Sequence, residues 1–195
     1  MAIELALFPL SQMVLPGGRM RLRVFEPRYQ RLVREAAAGK RPFASALLNP
    51  YVAASHANRI FPLVTQVRII DFCQLEDGLL GITIEGEQRA LITERWQEQD
   101  QLHVAHVDLQ PDWPAVQYSP EDALLAATLQ QVYQDNPELS ALYPDHSTAD
   151  AATLAKRWLE ILTMPAPLKH QLQAEQTADL ALVTLRQWLD EQQQQ

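Results

Sequence analysis

The hydrophobic pattern of this chain changes period near residue 110, and that change constrains the fold more than any other feature. Before Gln110, apolar residues alternate with polar ones as they do in strands, whereas after Ser119 they recur at helical spacing. A proline-rich stretch connects the two parts. A series of strands followed by a series of helices is typical of the α+β class. We therefore expect a β-rich subdomain over residues 1–110 and a helical bundle over residues 118–191.

The first part is predicted to form an antiparallel sheet. Residues 19–24 alternate strictly, with apolar side chains on one face and three arginines on the other. Asp77-Gly78 has the sequence of a hairpin turn, and Gly86 is predicted to supply a turn with positive φ. The further predicted strands span residues 3–8, 43–48, 63–75, 79–85, 88–96 and 102–109.

One helix interrupts these strands. Pro27 suits the first helical position, and the carboxylate of Glu26 is placed to accept free backbone N–H groups there. Gly39 suits the position just after the helix end. In the second part, Ser119-Pro120 predicts a helix start. The predicted helices there span residues 119–136, residue 147 or 148 to about 163, residues 168–176 and residues 177–191.

Length and termini suggest an ordinary globular protein of 195 residues. The run from Met1 to Pro9 has no basic region, which argues against a secretory signal, and no apolar stretch is long enough to span a membrane. The single cysteine, Cys73, excludes an intramolecular disulfide and suits a reducing compartment. We expect a cytoplasmic protein without a membrane partner.

Charge is distributed unevenly along the chain. The net charge of −8 disfavours binding to nucleic acid or anionic membranes. Residues 1–50 nevertheless carry eight basic and three acidic residues, a net +5, which leaves −13 on the rest. Two interpretations stay open: the basic residues pair internally or face water, or they offer a basic face to an acidic partner.

Motifs of the common catalytic sites are absent from the sequence. There is no phosphate-binding glycine loop, no Cys-x-x-Cys and no His-Glu-x-x-His, so we expect no cofactor and no metal. Cys73 ends an apolar strand and is predicted to be buried and inert. Lys156 and Lys169 are predicted on solvated helix faces, where neither would serve a Ser/Lys dyad. The five histidines are expected to be ordinary surface or hydrogen-bonded residues.

Several motifs resemble those of a known family. The stretches are Leu7-Phe8-Pro9-Leu10, Leu15-Pro16-Gly17, Phe25-Glu26-Pro27-Arg28-Tyr29, Glu85-Gly86-Glu87-Gln88-Arg89 and Lys169–Glu175. They resemble the amino-terminal, substrate-binding domain of the ATP-dependent Lon protease, and most closely the short bacterial proteins that carry this domain alone. The resemblance implies a PUA-like β pseudo-barrel followed by a helical bundle.

The resemblance also implies a role, the recognition of unfolded or partner polypeptides without catalysis. In Lon the ATPase and protease domains would follow this domain, and because the chain ends first we expect neither activity here. The candidate binding residues are Phe25, Glu26, Arg28, Tyr29, Arg89, Trp113 and Tyr118.

Structural roles are open for the same residues. Arg28 and Arg89 can pair with Glu26 or Glu85, and Trp113 and Tyr118 either line a groove near the connecting stretch or pack as core.

Two other functions are weaker alternatives. PUA-like barrels occur in RNA-modifying proteins, so an RNA-binding domain is the alternative, although no aromatic residues are interleaved with Arg19, Arg21 and Arg23. A small hydrolase is disfavoured because no nucleophile with a base is evident.

Overall fold

The strand β1 (Ile3–Leu10) is buried on both faces, which places it between two layers of apolar side chains. Leu5 and Leu7 belong to one apolar cluster, and Ala6 and Phe8 to another. These observations come from a computed structural model that describes residues 3–143, 146 and 148–193. The chain divides into two compact units, Met1–Asp112 and Trp113–Gln195, and each is described separately.

The first unit contains six strands in one sheet. After β1, these are β2 (Arg19–Val24), β3 (Phe43–Leu47), β4 (Leu63–Gln74), β5 (Leu80–Gln97) and β6 (His103–Gln110). Their order is β2-β5-β4-β3-β1-β6, and β6 also pairs with β5, which closes five of the strands into a ring. The predicted α+β class is confirmed. The sheet is mixed, however, because β1 and β3 run parallel instead of antiparallel.

The helix α1 (Pro27–Ala37) follows β2 and covers one apolar cluster with Leu32 and Val33. Pro27 occupies the start of the helix and Gly39 has φ +65° just beyond its end, as predicted. The predicted cap is wrong, since the Glu26 side chain accepts no backbone N–H of the helix. Its carboxylate instead pairs with Arg28 Nη2 at 2.6 Å.

Gly86 has a different role from the predicted turn. The strand β5 passes through it without a break, and its φ is not positive. A Cβ atom at this position would lie 2.1 Å from the Leu15 carbonyl oxygen. The backbones exchange hydrogen bonds here, since Gly17 N donates to Gly86 O at 2.8 Å and Gly86 N donates to Gly18 O at 2.8 Å. Glycine is therefore needed because two main chains approach closely.

The hairpin between β4 and β5 turns at Asp77-Gly78, as predicted, with Gly78 at φ +81°. The prediction that Cys73 is buried is wrong, because its side chain is exposed. β3 pairs with β4 only as far as Val67, so the far end of β4 is an arm paired with β5 alone. Its apolar residue Phe72 is accordingly 52% exposed.

Most of the basic residues of the amino-terminal part have carboxylate partners within the first unit. Arg19 Nε lies 2.6 Å from Glu85, and Arg23 pairs with Asp77. Internal pairing thus accounts for much of the predicted basic face. The arginines with such partners are Arg19, Arg23, Arg28, Arg31 and Arg41.

The second unit is helical in its described part. A 3-10 turn at Pro120–Asp122 precedes α2 (Ala123–Asp135), α3 (Pro137–Ser140), α4 (Ala151–Ile161), α5 (Ala166–Ala174) and α6 (Asp179–Gln193). The short α3 was not predicted. A predicted helix start at Ser147 lies outside the described residues, and α4 begins after Asp150, whose carboxylate accepts from Thr153 N at 2.8 Å.

The prediction that two lysines of this unit lie on solvent-exposed helix faces is wrong. Lys156 and Lys169 are 7% and 8% exposed. Lys156 is buried because α4 is covered almost all round, so its polar positions also face protein. Lys169 lies in α5, on the face that also buries Leu172 and Gln173. Burial lowers the pKa of Lys169, and the charge of Glu160 opposes this shift. No helix in the described part of the chain combines the length and apolar character that crossing a bilayer requires.

Candidate functional site

A cleft of about 940 Å³ opens in the first unit where several segments end on the same side. The ends of β1, β2 and β5 contribute to it, together with the start of α1 and of β6. The remaining wall is the loop that precedes β4, where residues 54–57 line the cleft. Because the ring of strands closes, residues about 70 positions apart in sequence become neighbours here.

Aromatic rings form much of the lining. Phe8 is buried and stacks on Tyr29 with 4.3 Å between ring centroids. Trp96 is half-buried and meets the ring of His106 edge-on, 4.9 Å away. Phe25 is 60% exposed although it lies against the apolar lining. Burial raises the pKa of the Tyr29 hydroxyl, with the nearby Arg28 charge opposing the shift. The phenol is therefore neutral at physiological pH.

Arg28 joins three parts of the cleft. Its guanidinium lies 4.9 Å from the Tyr29 ring centroid, in cation–π geometry. Nη1 donates to the Gln101 carbonyl at 3.2 Å, across to the turn between β5 and β6. Its Nε atom is buried and has no hydrogen-bond partner. The side chain thus has unused hydrogen-bonding capacity even though Glu26 balances its charge.

Two further arginines of the cleft bind backbone oxygens of the loop before β4. Arg59 Nη1 donates to Asn49 O at 2.7 Å and to Val52 O at 3.0 Å. Arg95 Nη2 donates to Ala57 O at 2.6 Å. Among the residues that the structure describes, neither forms an ion pair with a carboxylate. Burial lowers the pKa of Arg95, a sign that its charge is poorly solvated.

His103 begins β6 beside these cations. Its Nδ1 atom is buried without a partner, and Nε2 lies 3.2 Å from the Gln97 side-chain nitrogen. Burial lowers its pKa, and the charges of Arg95 and Arg28 lower it further. The imidazole is consequently held neutral at neutral pH, in the electrostatic field of two guanidinium groups.

The structure brings four of the seven predicted binding residues into this cleft. These are Phe25, Glu26, Arg28 and Tyr29.

The other three lie elsewhere. Arg89 is 5% exposed and donates to Pro111 O, at 3.1 Å from Nε and 2.5 Å from Nη2, rather than to Glu85. Trp113 is 6% exposed within the second unit, where its N–H donates to Glu175 O at 2.9 Å. Tyr118 is exposed and its hydroxyl bonds to Thr148.

Sequence reasoning missed the half of the cleft contributed by Arg95, Trp96 and His103. These residues belong to two strands whose local pattern is that of any half-buried sheet, and they join α1 only after the ring has closed. The one available hint was Trp96 beside Arg95 at a strand end, an aromatic–cation pair of the kind found at binding surfaces.

A second, smaller hollow of about 400 Å³ lies at the β4–β5 hairpin and is lined by Phe72, Cys73 and Leu79, among others. It holds no ionisable group other than the thiol. Among the described residues, no group of three His, Cys, Asp or Glu side chains is placed to hold a metal ion. Compared with the hollow, the larger cleft contains arginine, histidine and aromatic side chains, which can form ionic, hydrogen-bonding and stacking contacts with a ligand.

Comparison with known proteins gives consistent matches. Residues 4–190 match the family model described as the ATP-dependent protease La (LON) substrate-binding domain. The fold is similar to the crystal structure of a Lon N-terminal domain protein from Xanthomonas campestris, at TM-score 0.71 and 29% identity, over 95% of this chain and 98% of that one.

The fold is also similar to the N-terminal domain of the Mycobacterium avium complex Lon protease, at TM-score 0.63 and 16% identity, over 95% and 97% of the two chains. At that identity the likeness concerns the fold alone. Among curated proteins, none matches the sequence.

Proposed function

This chain belongs to the family of the ATP-dependent protease La (Lon) substrate-binding domain, and on that premise we propose that it is a non-enzymatic module that binds polypeptides. The proposed site is the cleft lined by Phe25, Tyr29 and Trp96. The proposed ligand is an unfolded segment, or an extended segment of a partner protein, whose apolar side chains enter the cleft.

The observation that carries the proposal is the exposed Phe25 ring. Phenylalanine is costly to leave in water, since burying such a side chain contributes about 1.5–3 kcal/mol. Here the ring is 60% exposed at the edge of an aromatic-lined cleft. An apolar ligand would remove this surface from water together with the accessible parts of Tyr29 and Trp96. Concave sites with mostly apolar walls and a few polar groups are typical of ligand binding.

The test compares two single substitutions of the same residue type. Phe25→Ala removes the ring in the cleft, and Phe72→Ala removes a comparably exposed ring on the β4–β5 hairpin. We expect the wild-type protein to bind a reduced, alkylated model polypeptide, measured by fluorescence anisotropy of the labelled polypeptide. Phe25→Ala should weaken binding by about tenfold, since loss of one buried aromatic contact is worth at least about 1.4 kcal/mol. Phe72→Ala should bind as the wild type does.

Other outcomes would count against the proposal. A loss confined to Phe72→Ala would move the site to the hairpin. An absence of binding to any unfolded polypeptide would contradict polypeptide recognition as such. Tighter binding to a single-stranded RNA than to the polypeptide, at physiological salt, would favour the RNA-binding alternative. In the arginine row on β2, Arg19 and Arg23 are engaged with carboxylates.

A further inference from the structure

The charges in the cleft are opposite in sign to those of the whole chain. The protein carries a net −8. The cleft lining, by contrast, contains four arginines and a single carboxylate, that of Glu26. Arg23 and Arg28 have carboxylate partners, whereas Arg59 and Arg95 are satisfied by backbone carbonyls of the loop before β4. The cleft therefore keeps uncompensated positive charge within an otherwise acidic protein.

Arg28, Arg95 and His103 all line the same cleft. Arg95 and Arg28 are near enough to His103 for both charges to disfavour protonation of its ring. Two nitrogen atoms of this group, Arg28 Nε and His103 Nδ1, are buried without hydrogen-bond partners. Buried polar atoms are nearly always hydrogen-bonded, so two such atoms on side chains that line the same cleft are candidates for completion by a ligand.

From this arrangement we propose that the cleft recognises polypeptide segments in which an acidic side chain, Asp or Glu, lies next to apolar residues. The carboxylate would be bound by Arg28, Arg95 and His103, and the flanking apolar side chains would contact Phe25 and Trp96. This inference rests on the proposed function and adds to it a preference for polypeptides that carry an acidic side chain.

We favour the carboxylate of an Asp or Glu side chain over that of a peptide C-terminus as the group that the cleft binds. The binding groups come from α1, from β5 and from His103 at the start of β6, and residues 54–57 of the loop before β4 also line the cleft. At about 940 Å³ the cleft is much larger than a carboxylate group, so it has room for further parts of a peptide. A side-chain carboxylate can reach Arg28, Arg95 and His103 while the peptide main chain continues in both directions, whereas a terminal carboxylate ends the chain there. A guanidinium group binds a carboxylate through two parallel hydrogen bonds, which is the strongest neutralising contact that the lining offers.

The primary test changes the ligand and leaves the protein intact. A short labelled peptide that alternates leucine and phenylalanine with glutamate, amidated at its end, is compared with the same peptide carrying glutamine for glutamate. We expect the glutamate peptide to bind about tenfold more tightly, because hydrogen bonds to a charged carboxylate are stronger than those to a neutral amide. A third peptide, with glutamine and a free terminal carboxylate, tests the other source and should bind as weakly as its amidated form.

Substitutions then locate the effect. Arg95→Met should abolish the preference, so that the glutamate and glutamine peptides bind with equal affinity. Arg21→Met is the matched control, because it removes the same charge from an exposed position outside the cleft lining. It should retain the preference. Since Arg95 also anchors Ala57, Arg95→Lys serves as a second variant that keeps the charge, and it should retain part of the preference.

The possible failures separate the two proposals. Equal binding of the glutamate and glutamine peptides, with both sensitive to Phe25→Ala, would overturn the acidic selection and leave polypeptide binding in place. Preference for the free terminal carboxylate would also overturn it, as would a preference that survives Arg95→Met. If no peptide and no unfolded polypeptide binds, the proposed function itself is wrong. Stronger competition by an oligonucleotide than by the glutamate peptide would contradict a peptide ligand.

Discussion

Arg31 Nε donates to Asp100 Oδ2 at 2.9 Å, and this contact joins the helix α1 to the turn between β5 and β6. The same guanidinium also pairs with Glu98 and with Glu35, the latter at 3.1 Å. Arg41 extends the network by lying 3.0 Å from Glu98. Because α1 and the β5–β6 turn both contribute walls of the cleft, these charges hold its two sides in a fixed relation.

Replacing Arg31 should therefore destabilise the first unit. Arg31→Met is expected to lower the free energy of unfolding by about 1–2 kcal/mol, since each partly exposed pair is worth up to about 1 kcal/mol and three are lost. Urea denaturation followed by circular dichroism measures this. Arg34→Met, in the same helix and exposed, is the control and should change stability little. The difference between the two variants should shrink at high salt, and a difference insensitive to salt would contradict the electrostatic explanation.

The same network predicts how stability depends on acid. A hydrogen bond from Arg31 lowers the pKa of Asp100. Burial opposes ionisation of Glu98, but hydrogen bonds from Arg31 and Arg41 outweigh it and lower that pKa as well. The folded state then binds fewer protons than the unfolded one, so this stabilisation is present above about pH 4.5 and is lost as the pH falls through the lowered values. Unfolding midpoints in urea from pH 6 to pH 3 should fall less steeply for Arg31→Met than for the wild type.

Titration of His103 should cause a second pH dependence of stability, at higher pH than that of the carboxylates. Burial, together with the charges of Arg95 and Arg28, lowers its pKa. The unfolded chain takes up the proton first, so stability should decline as the pH drops below about 6.5, the ordinary histidine value. In His103→Gln this decline between pH 7 and pH 5 should be smaller, as measured by thermal unfolding. Identical profiles for His103→Gln and the wild type would refute the role of His103.

Gly86 and Gly81 lie in the same strand and provide a matched pair. A Cβ at Gly86 would meet the Leu15 carbonyl oxygen at 2.1 Å, and a backbone cannot move aside locally. At Gly81 it would meet the Cys73 sulfur at 2.5 Å, which belongs to an exposed side chain that is able to turn away. We expect Gly86→Ala to cost about 3 kcal/mol or more and Gly81→Ala about 1 kcal/mol in urea unfolding. Similar losses would show that the Leu15–Gly86 approach is not tight.

Arg89 is expected to act in stability and not in binding. Arg89→Met removes the donors that the Pro111 carbonyl accepts and should lower the free energy of unfolding by about 1–3 kcal/mol. Its affinity for an unfolded polypeptide, measured below the unfolding transition, should equal that of the wild type. Arg68→Met, an exposed arginine on the neighbouring strand, should leave both quantities nearly unchanged. Reduced affinity in folded Arg89→Met would restore Arg89 to the binding residues.

Local patterns in the sequence determined much of the secondary structure. The alternation of residues 19–24 specified β2, Pro27 and Gly39 bounded α1, and Asp77-Gly78 placed the hairpin. The motif Phe25–Tyr29 also located one wall of the cleft. Each of these signals acts over a few residues, through φ preferences, capping or the two-residue strand period. It can therefore be recognised in the sequence without knowledge of the fold.

The tertiary structure decided the features that depend on distant partners. Pairing of β6 with both β1 and β5 closes the ring and brings Arg95 and His103 to Arg28. The exposure of Cys73 and the burial of Lys169 depend in the same way on which elements cover them. Period and composition describe a residue's neighbours along the chain, whereas burial and charge pairing are set by strands and helices that meet only when the whole unit packs.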